Sequence, residues 1–72
     1  MSAVVDAKGL SCPQPVILTL NEINKARKGE IIVLVDTVTS KENVSRAAIA
    51  RGWTLKNVEE EGETFRITIA KD

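Results

Sequence analysis

Histidine and tyrosine are absent from this 72-residue chain, and cysteine, tryptophan and phenylalanine each occur once. Each scarcity excludes something. Without histidine, no Cys–His catalytic pair can form within the chain. One cysteine, Cys12, allows no internal disulfide and no cysteine-based zinc cluster. A lone thiol fits a reducing compartment, so a cytoplasmic location is expected. With only Trp53 and Phe65 as aromatics, the core must be aliphatic. Net charge is also missing: ten basic and ten acidic residues cancel. Sequence-independent nucleic-acid binding rests on many Lys and Arg contacts to phosphate, so direct binding of nucleic acid is not expected. No apolar run approaches the roughly 20 residues that span a membrane. The first residues lack the basic and apolar regions of a secretory leader. No linker, repeat or low-complexity tract interrupts the chain.

What is present is enough for one small domain, residues 1–72. A chain near this size buries only about 60% of its unfolded surface, so stability should be modest. The apolar fraction of 43% still supplies a core.

Ala3-Val4-Val5-Asp6 reads as a short strand, and Gly9 breaks it. A helix follows, from Pro13 or Pro15 to near Lys28. Val16, Leu20, Ile23 and Arg27 fall at helical spacing, Ile17 widens the stripe, and Gly29 is the stop signal. Ile31 to Val35 is apolar at every position, which predicts a central strand whose second face could meet another subunit. Thr39-Ser40-Lys41-Glu42 has the form of a capping box, a hydroxyl followed three residues later by glutamate. It predicts a helix from about Ser40 to Arg51, with Val44, Ala47, Ala48 and Arg51 on one face. Trp53 to Glu59 reads as a third strand, with Trp53 as a half-buried anchor. Glu60-Glu61-Gly62-Glu63 is a polar turn, and Thr64 to Ala70 alternates cleanly, with Phe65, Ile67 and Ile69 facing one way. The order is βαβαββ. Right-handed crossovers and a terminal hairpin give an α/β (α+β) two-layer sandwich: a mixed four-stranded sheet with two helices on one face, strand order 1-2-4-3.

The segment richest in chemistry is Gly9-Leu10-Ser11-Cys12-Pro13-Gln14-Pro15-Val16. It holds both prolines of the chain. Proline suits the first turn of a helix, where its missing N–H has no intrahelical partner and its φ is preset. Cys12 therefore sits at or just before a helix start. Backbone N–H groups and the dipole there favour an anion, and for sulfur that anion is the reactive thiolate. Its titration is expected below the free-thiol value of about 8.5. Read from the residues alone, Cys12 is either this nucleophile or a small buried core residue.

Asp6-Ala7-Lys8-Gly9-Leu10-Ser11-Cys12-Pro13-Gln14-Pro15-Val16 resembles the signature of the TusA/SirA-like sulfur-carrier family: a Cys-Pro-x-Pro box preceded by Gly-Leu and, earlier, by an aspartate. Gly29-Glu30, the apolar run and Asp36 resemble that family's second strand. Lys41-Glu42-Asn43-Val44-Ser45-Arg46 is similar to the YedF-like branch. The resemblance covers nearly the whole chain and implies the same two-layer fold.

It also implies that Cys12 carries sulfane sulfur as a persulfide in a sulfurtransferase relay, with no cofactor and no metal. The implied partners are a protein donor, a cysteine desulfurase or rhodanese-type enzyme, and an acceptor sulfurtransferase. The implied destinations are tRNA thiolation, molybdenum cofactor, or sulfur or selenium metabolism. Pro13 and Pro15 stiffen the turn and aim the thiol outward. Both lack an N–H, so donors near sulfur must be residues such as Gln14 and Val16. Gln14 stands where much of the sulfur-relay branch has an acidic residue, so it bears on partner choice; otherwise it is an exposed first-turn residue. Gly9 gives the turn its freedom. Asp6 is read as a turn residue whose carboxylate bonds nearby N–H groups.

Asp36 and Thr37 end strand 2, and with Thr39 they are candidates to approach Cys12; the alternative is a turn-and-cap role. Lys8 is a candidate thiolate partner or a solvated lysine. Lys41 and Arg46 are partner contacts or a solvated helix face. Two rival functions remain: a non-catalytic regulatory or interaction module with Cys12 structural, and a thiol redox sensor that would need a partner's thiol.

Overall fold

A computed structural model describes residues 2–10 and 13–72. The elements are β1 (Ser2–Asp6), α1 (Gln14–Ala26), β2 (Gly29–Val35), α2 (Val38–Ala50), β3 (Thr54–Glu61) and β4 (Thr64–Lys71). They form one mixed sheet in the order β1-β2-β4-β3. β1 and β2 are parallel; β2–β4 and β4–β3 are antiparallel. α1 packs on β1 and β2, α2 packs on β3 and β4, and the helices touch each other. The βαβαββ order, the two-layer class and the strand order all agree with the sequence expectation.

Period-two alternation decides which side chains meet the helices. Ala3, Ile31, Ile69 and Leu55 form one row across the sheet, and Val5, Val33, Ile67 and Val58 the next. Ile31, Val33, Val35, Ile67 and Ile69 are fully buried, joined by Val44 and Ala48 of α2 and Ile23 of α1. Leu55 and Val58 are three residues apart, yet both pair with core-facing residues of β4. A bulge between Leu55 and Asn57 makes this possible by inserting one extra residue, Lys56. It also explains why β3 alternates only loosely in the sequence.

β2 is central, as its apolar run predicts, but among the described residues none forms a layer over its second face. Ile32 and Leu34 are only partly buried, and Val4, paired with Ile32, is 64% exposed. Beside them Arg66 reaches Glu59 at 4.0 Å and Glu61 at 3.7 Å. Such exposed pairs contribute little.

Several boundaries depart from expectation. α1 stops at Ala26, not near Lys28. Arg27 takes a left-handed φ of 65° and its amide donates to Ile23 O at 2.8 Å. The cap is thus Arg27, and the predicted stop residue Gly29 opens β2 instead. Arg27 is exposed and leaves the apolar stripe, which runs through Pro15, Thr19 and Ile23.

α2 starts two residues early. Thr37, not Thr39, is the N-cap: its Oγ1 accepts from Ser40 N at 3.1 Å. Thr39 and Glu42 lie inside the helix, exposed. Ser40, Val44 and Ala48, four residues apart, form the buried face of α2. Trp53 is buried, not half-buried; it precedes β3 and its amide donates to Ala48 O at 3.0 Å.

Neighbouring isoleucines on β2 should respond differently to losing a methyl group. Ile31→Val is expected to cost about 0.5–1.5 kcal/mol, and Ile32→Val well under that. Urea unfolding midpoints of the two variants check the assignment of the covered face.

Candidate functional site

β1 and β2 are parallel, and each hands the chain to a helix at its C-terminal end. The N-termini of α1 and α2 therefore share one end of the sheet with the β1–α1 and β2–α2 loops. Two helix starts add partial positive charge there.

The β1–α1 loop is tied down step by step. Ala7 is fully buried and its amide donates to Leu34 O at 2.8 Å, extending the strand pairing past Asp6. Asp6 Oδ1 accepts from Lys8 N at 3.1 Å, and Leu10 N donates to Ala7 O at 3.4 Å. Gly9 adopts φ +79°, and a Cβ built there would meet nothing within 4 Å. Glycine is thus required by the backbone, not by space. Gly9 N donates to Asp36 Oδ2 at 2.9 Å, joining this loop to the end of β2.

Cys12 and Ser11 lie outside the described residues, so the placement, exposure and acidity expected of Cys12 do as well. The chain is described again from Pro13. Pro13 is exposed and occupies the N-cap position with φ −100° and ψ 16°. Its carbonyl accepts from Ile17 N at 3.0 Å, which closes the first turn. Helix geometry gives the amides before Ile17 no intrahelical acceptor. Pro13 and Pro15 carry no N–H, so the donors of this first turn are Gln14 and Val16. Gln14 is exposed at the first helical position. Pro15 is buried in the core, with its carbonyl accepting from Thr19 Oγ1 at 2.8 Å.

The structure joins Gly9 to Asp36 and Asp6 to Lys8 N. Thr37 is exposed and serves the start of α2. Thr39 lies in the first turn of α2, and Lys8 and Arg46 are exposed. Lys41 Nζ sits over the Phe65 ring, 5.3 Å from its centroid, a cation–π contact. Sequence reasoning missed the buried roles of Ala7, Pro15, Thr19 and Ser40. The i, i+4, i+8 spacing of Pro15, Thr19 and Ile23 carried the signal for two of them. Among the described residues, no group of three or more His, Cys, Asp or Glu is placed to hold a metal ion. No helix among them is long and apolar enough to cross a membrane.

Comparison with known proteins bears on this end of the sheet. The family model for "Sulfurtransferase TusA" matches residues 3–71. The chain is 34% identical over 68 residues to the "Putative sulfur carrier protein YedF" of Escherichia coli (strain K12), covering 93% of this chain and 88% of that protein. It is 28% identical over 72 residues to the sulfur carrier protein TusA of Pseudomonas paraeruginosa (strain DSM 24068 / PA7), covering 99% and 91%. The crystal structure of a SirA-like protein from Desulfitobacterium hafniense superposes with a TM-score of 0.85 at 28% identity, covering 94% of this chain and 95% of the other.

The two candidate caps of α2 separate cleanly. Thr37→Ala should cost about 1 kcal/mol through loss of the cap, with Thr37→Ser recovering most of it. Thr39→Ala should be neutral or slightly stabilising, since alanine is the better helix former. Urea denaturation of the three variants reads both effects.

Proposed function

This chain belongs to the TusA family, and we propose that it is a sulfur carrier that accepts and donates sulfane sulfur as a persulfide on Cys12. What supports the reading is the Cys-Pro-x-Pro sequence, whose Pro13, Gln14 and Pro15 open α1, inside a family match running from residue 3 to residue 71.

The chemistry balances without a cofactor. Cys12 thiolate attacks the outer sulfur of a donor persulfide, R–S–SH. The new Cys12 S–S bond forms as the donor S–S bond breaks, and the bonding pair leaves on the donor as R–S⁻. The product is Cys12–S–SH, with no net change of oxidation state. An acceptor thiolate repeats the attack on the outer sulfur and regenerates the Cys12 thiolate. The rate of each step depends on thiolate fraction, nucleophilicity and access.

The site supports these needs in a division of labour. Gln14 and Val16 supply first-turn N–H groups beside the nucleophile's segment. Pro13 and Pro15 restrict the backbone on which it stands, and Pro15 also anchors that turn in the core. Gly9, Asp6 and Asp36 fold the approach to Cys12 through the bonds they make. Thr37 starts α2 alongside. Gln14, exposed and uncharged, contributes to partner choice.

The partners in this reading are a cysteine desulfurase or rhodanese-type donor and an acceptor sulfurtransferase. The chain acts as one domain over residues 1–72 in the cytoplasm. Its sulfur goes to tRNA thiolation, molybdenum cofactor, or sulfur or selenium metabolism.

Incubated with a persulfide donor, the chain is expected to gain the mass of one sulfur atom. Peptide mapping should locate it on Cys12, and a thiol reductant should remove it. Cys12→Ser should stay folded and carry nothing, because a hydroxyl has neither the acidity nor the sulfur–sulfur chemistry of a thiol. Failure to load from a small-molecule persulfide, while Cys12 still alkylates readily, would overturn the carrier reading in favour of a regulatory module.

A further inference from the structure

We propose that the open face of the sheet, the one turned away from α1 and α2, docks a basic amphipathic helix supplied by another protein. The inference is independent of what Cys12 carries.

The register decides which side chains this face holds. Residues that alternate with the buried rows point the other way. One line across the strands is Val4, Ile32, Thr68 and Asn57; the next is Asp6, Leu34, Arg66 and Glu59. Glu30, Ala70 and Thr54 form a third. Val4 is 64% exposed, and Ile32, Leu34, Thr68 and Ala70 are partly buried. These five make one continuous patch. Val4 pairs with Ile32 and Ile32 with Thr68, while Leu34 and Ala70 each stand two residues further along their strands.

Strand propensity alone accounts for β-branched residues on this face. It does not account for the charges around them. Asp6 borders the patch on β1, Glu30 at one end of β2, and Glu59 and Glu61 on β3. Against these four carboxylates the face holds two cations: Arg66, within reach of Glu59 and Glu61, and Lys56, which shares a corner hollow with Thr54 and Ala70. The chain as a whole is neutral, so the acidic excess is local.

Sign chooses the occupant. Nucleic acid or an anionic membrane surface would meet repulsion, and a second copy would bring a border of like charge to the same patch. A partner with an apolar stripe flanked by Lys or Arg matches both features. Size chooses its shape. β2 has seven residues, which is about 23 Å of strand. A helix of about 14 residues is about 21 Å long and about 10–12 Å across with its side chains. One helix therefore covers the patch on β1, β2 and β4 and carries its flanks over Asp6 on one side and Glu59 and Glu61 on the other.

The probe is a synthetic leucine–lysine helix of that length, with leucines on one face, titrated into the isotope-labelled full chain and followed by NMR. Amide signals at Val4, Ile32, Leu34 and Thr68 should shift, and those of α1 and α2 should shift little. Val4→Ser should raise Kd about fivefold, as loss of part of a buried apolar contact predicts. Glu59→Gln combined with Glu61→Gln should raise it about threefold in low salt and hardly at all in high salt. Ile49→Ser removes a side chain that is 57% exposed on α2 and should leave Kd unchanged. A leucine–glutamate helix should bind about tenfold more weakly. All four substituted residues are exposed, so the variants stay folded. The absence of shifts, shifts confined to the helices or to the hairpin tip at Gly62, Val4→Ser at the parent Kd, or equal binding of the glutamate helix would overturn the inference. So would a dimer in sedimentation equilibrium that Val4→Ser abolishes, because it assigns the face to a second copy.

Discussion

The register of β2 is the constraint on which the rest depends. Its buried face, Ile31, Val33 and Val35, alternates with the partly buried Ile32 and Leu34. A slip of one residue would exchange the two sets, so the register is strongly specified. The same register pairs Asp6 with Leu34 in the parallel ladder. The next links follow in sequence: Ala7 N to Leu34 O, then Gly9 N to Asp36 Oδ2. The approach to Cys12 is therefore an extension of the β1–β2 ladder, first through backbone and then through one side chain. Core packing, not local turn preference, decides where that approach sits.

A core with so few aromatics reaches closure by other means. Trp53 seals the end of α2, through its buried ring and its amide bond to Ala48 O. Phe65 sits opposite Val35 near the other end of the sheet, with Lys41 over its ring. Between them the core is Val, Ile and Ala, whose small, stiff side chains let α2 approach through Val44 and Ala48. Of the buried polar residues, Thr19 has its hydroxyl bonded within its own helix, to Pro15 O. Burial of a hydroxyl costs little once it is bonded.

Much of this was legible in the sequence, and the limits have physical causes. The element order and strand order followed from period-two and helical patterns plus crossover rules. The clean alternation of β4 located Phe65, Ile67 and Ile69 correctly. The cap of α2 was misplaced because Thr37 and Thr39 both carry hydroxyls. Thr39 has the glutamate three residues on, but it is Thr37 Oγ1 that takes the Ser40 amide, which leaves Thr39 inside the first turn. The end of α1 was misplaced because arginine occupies a left-handed cap where glycine is the common signal. At the candidate site, the Asp36–Gly9 bond could not be read from spacing 27 residues apart. It required the parallel register. The buried position of Pro15 was hidden by its reading as a turn residue alone.

The absence of histidine from the sequence shapes the chemistry of the proposed carrier. No imidazole in the chain can take the thiol proton or hold a thiolate as an ion pair. On this reading, activation falls to backbone dipoles, and the two prolines leave only Gln14 and Val16 as first-turn donors. Such stabilisation is modest and falls off within one turn. Modest activation suits a carrier. A strongly stabilised thiolate is a weaker nucleophile toward the incoming persulfide, and the best attacking thiol has an acidity near ambient pH. Transfer in both directions then depends on small differences between partner sulfurs, and placement carries more weight than electronic activation.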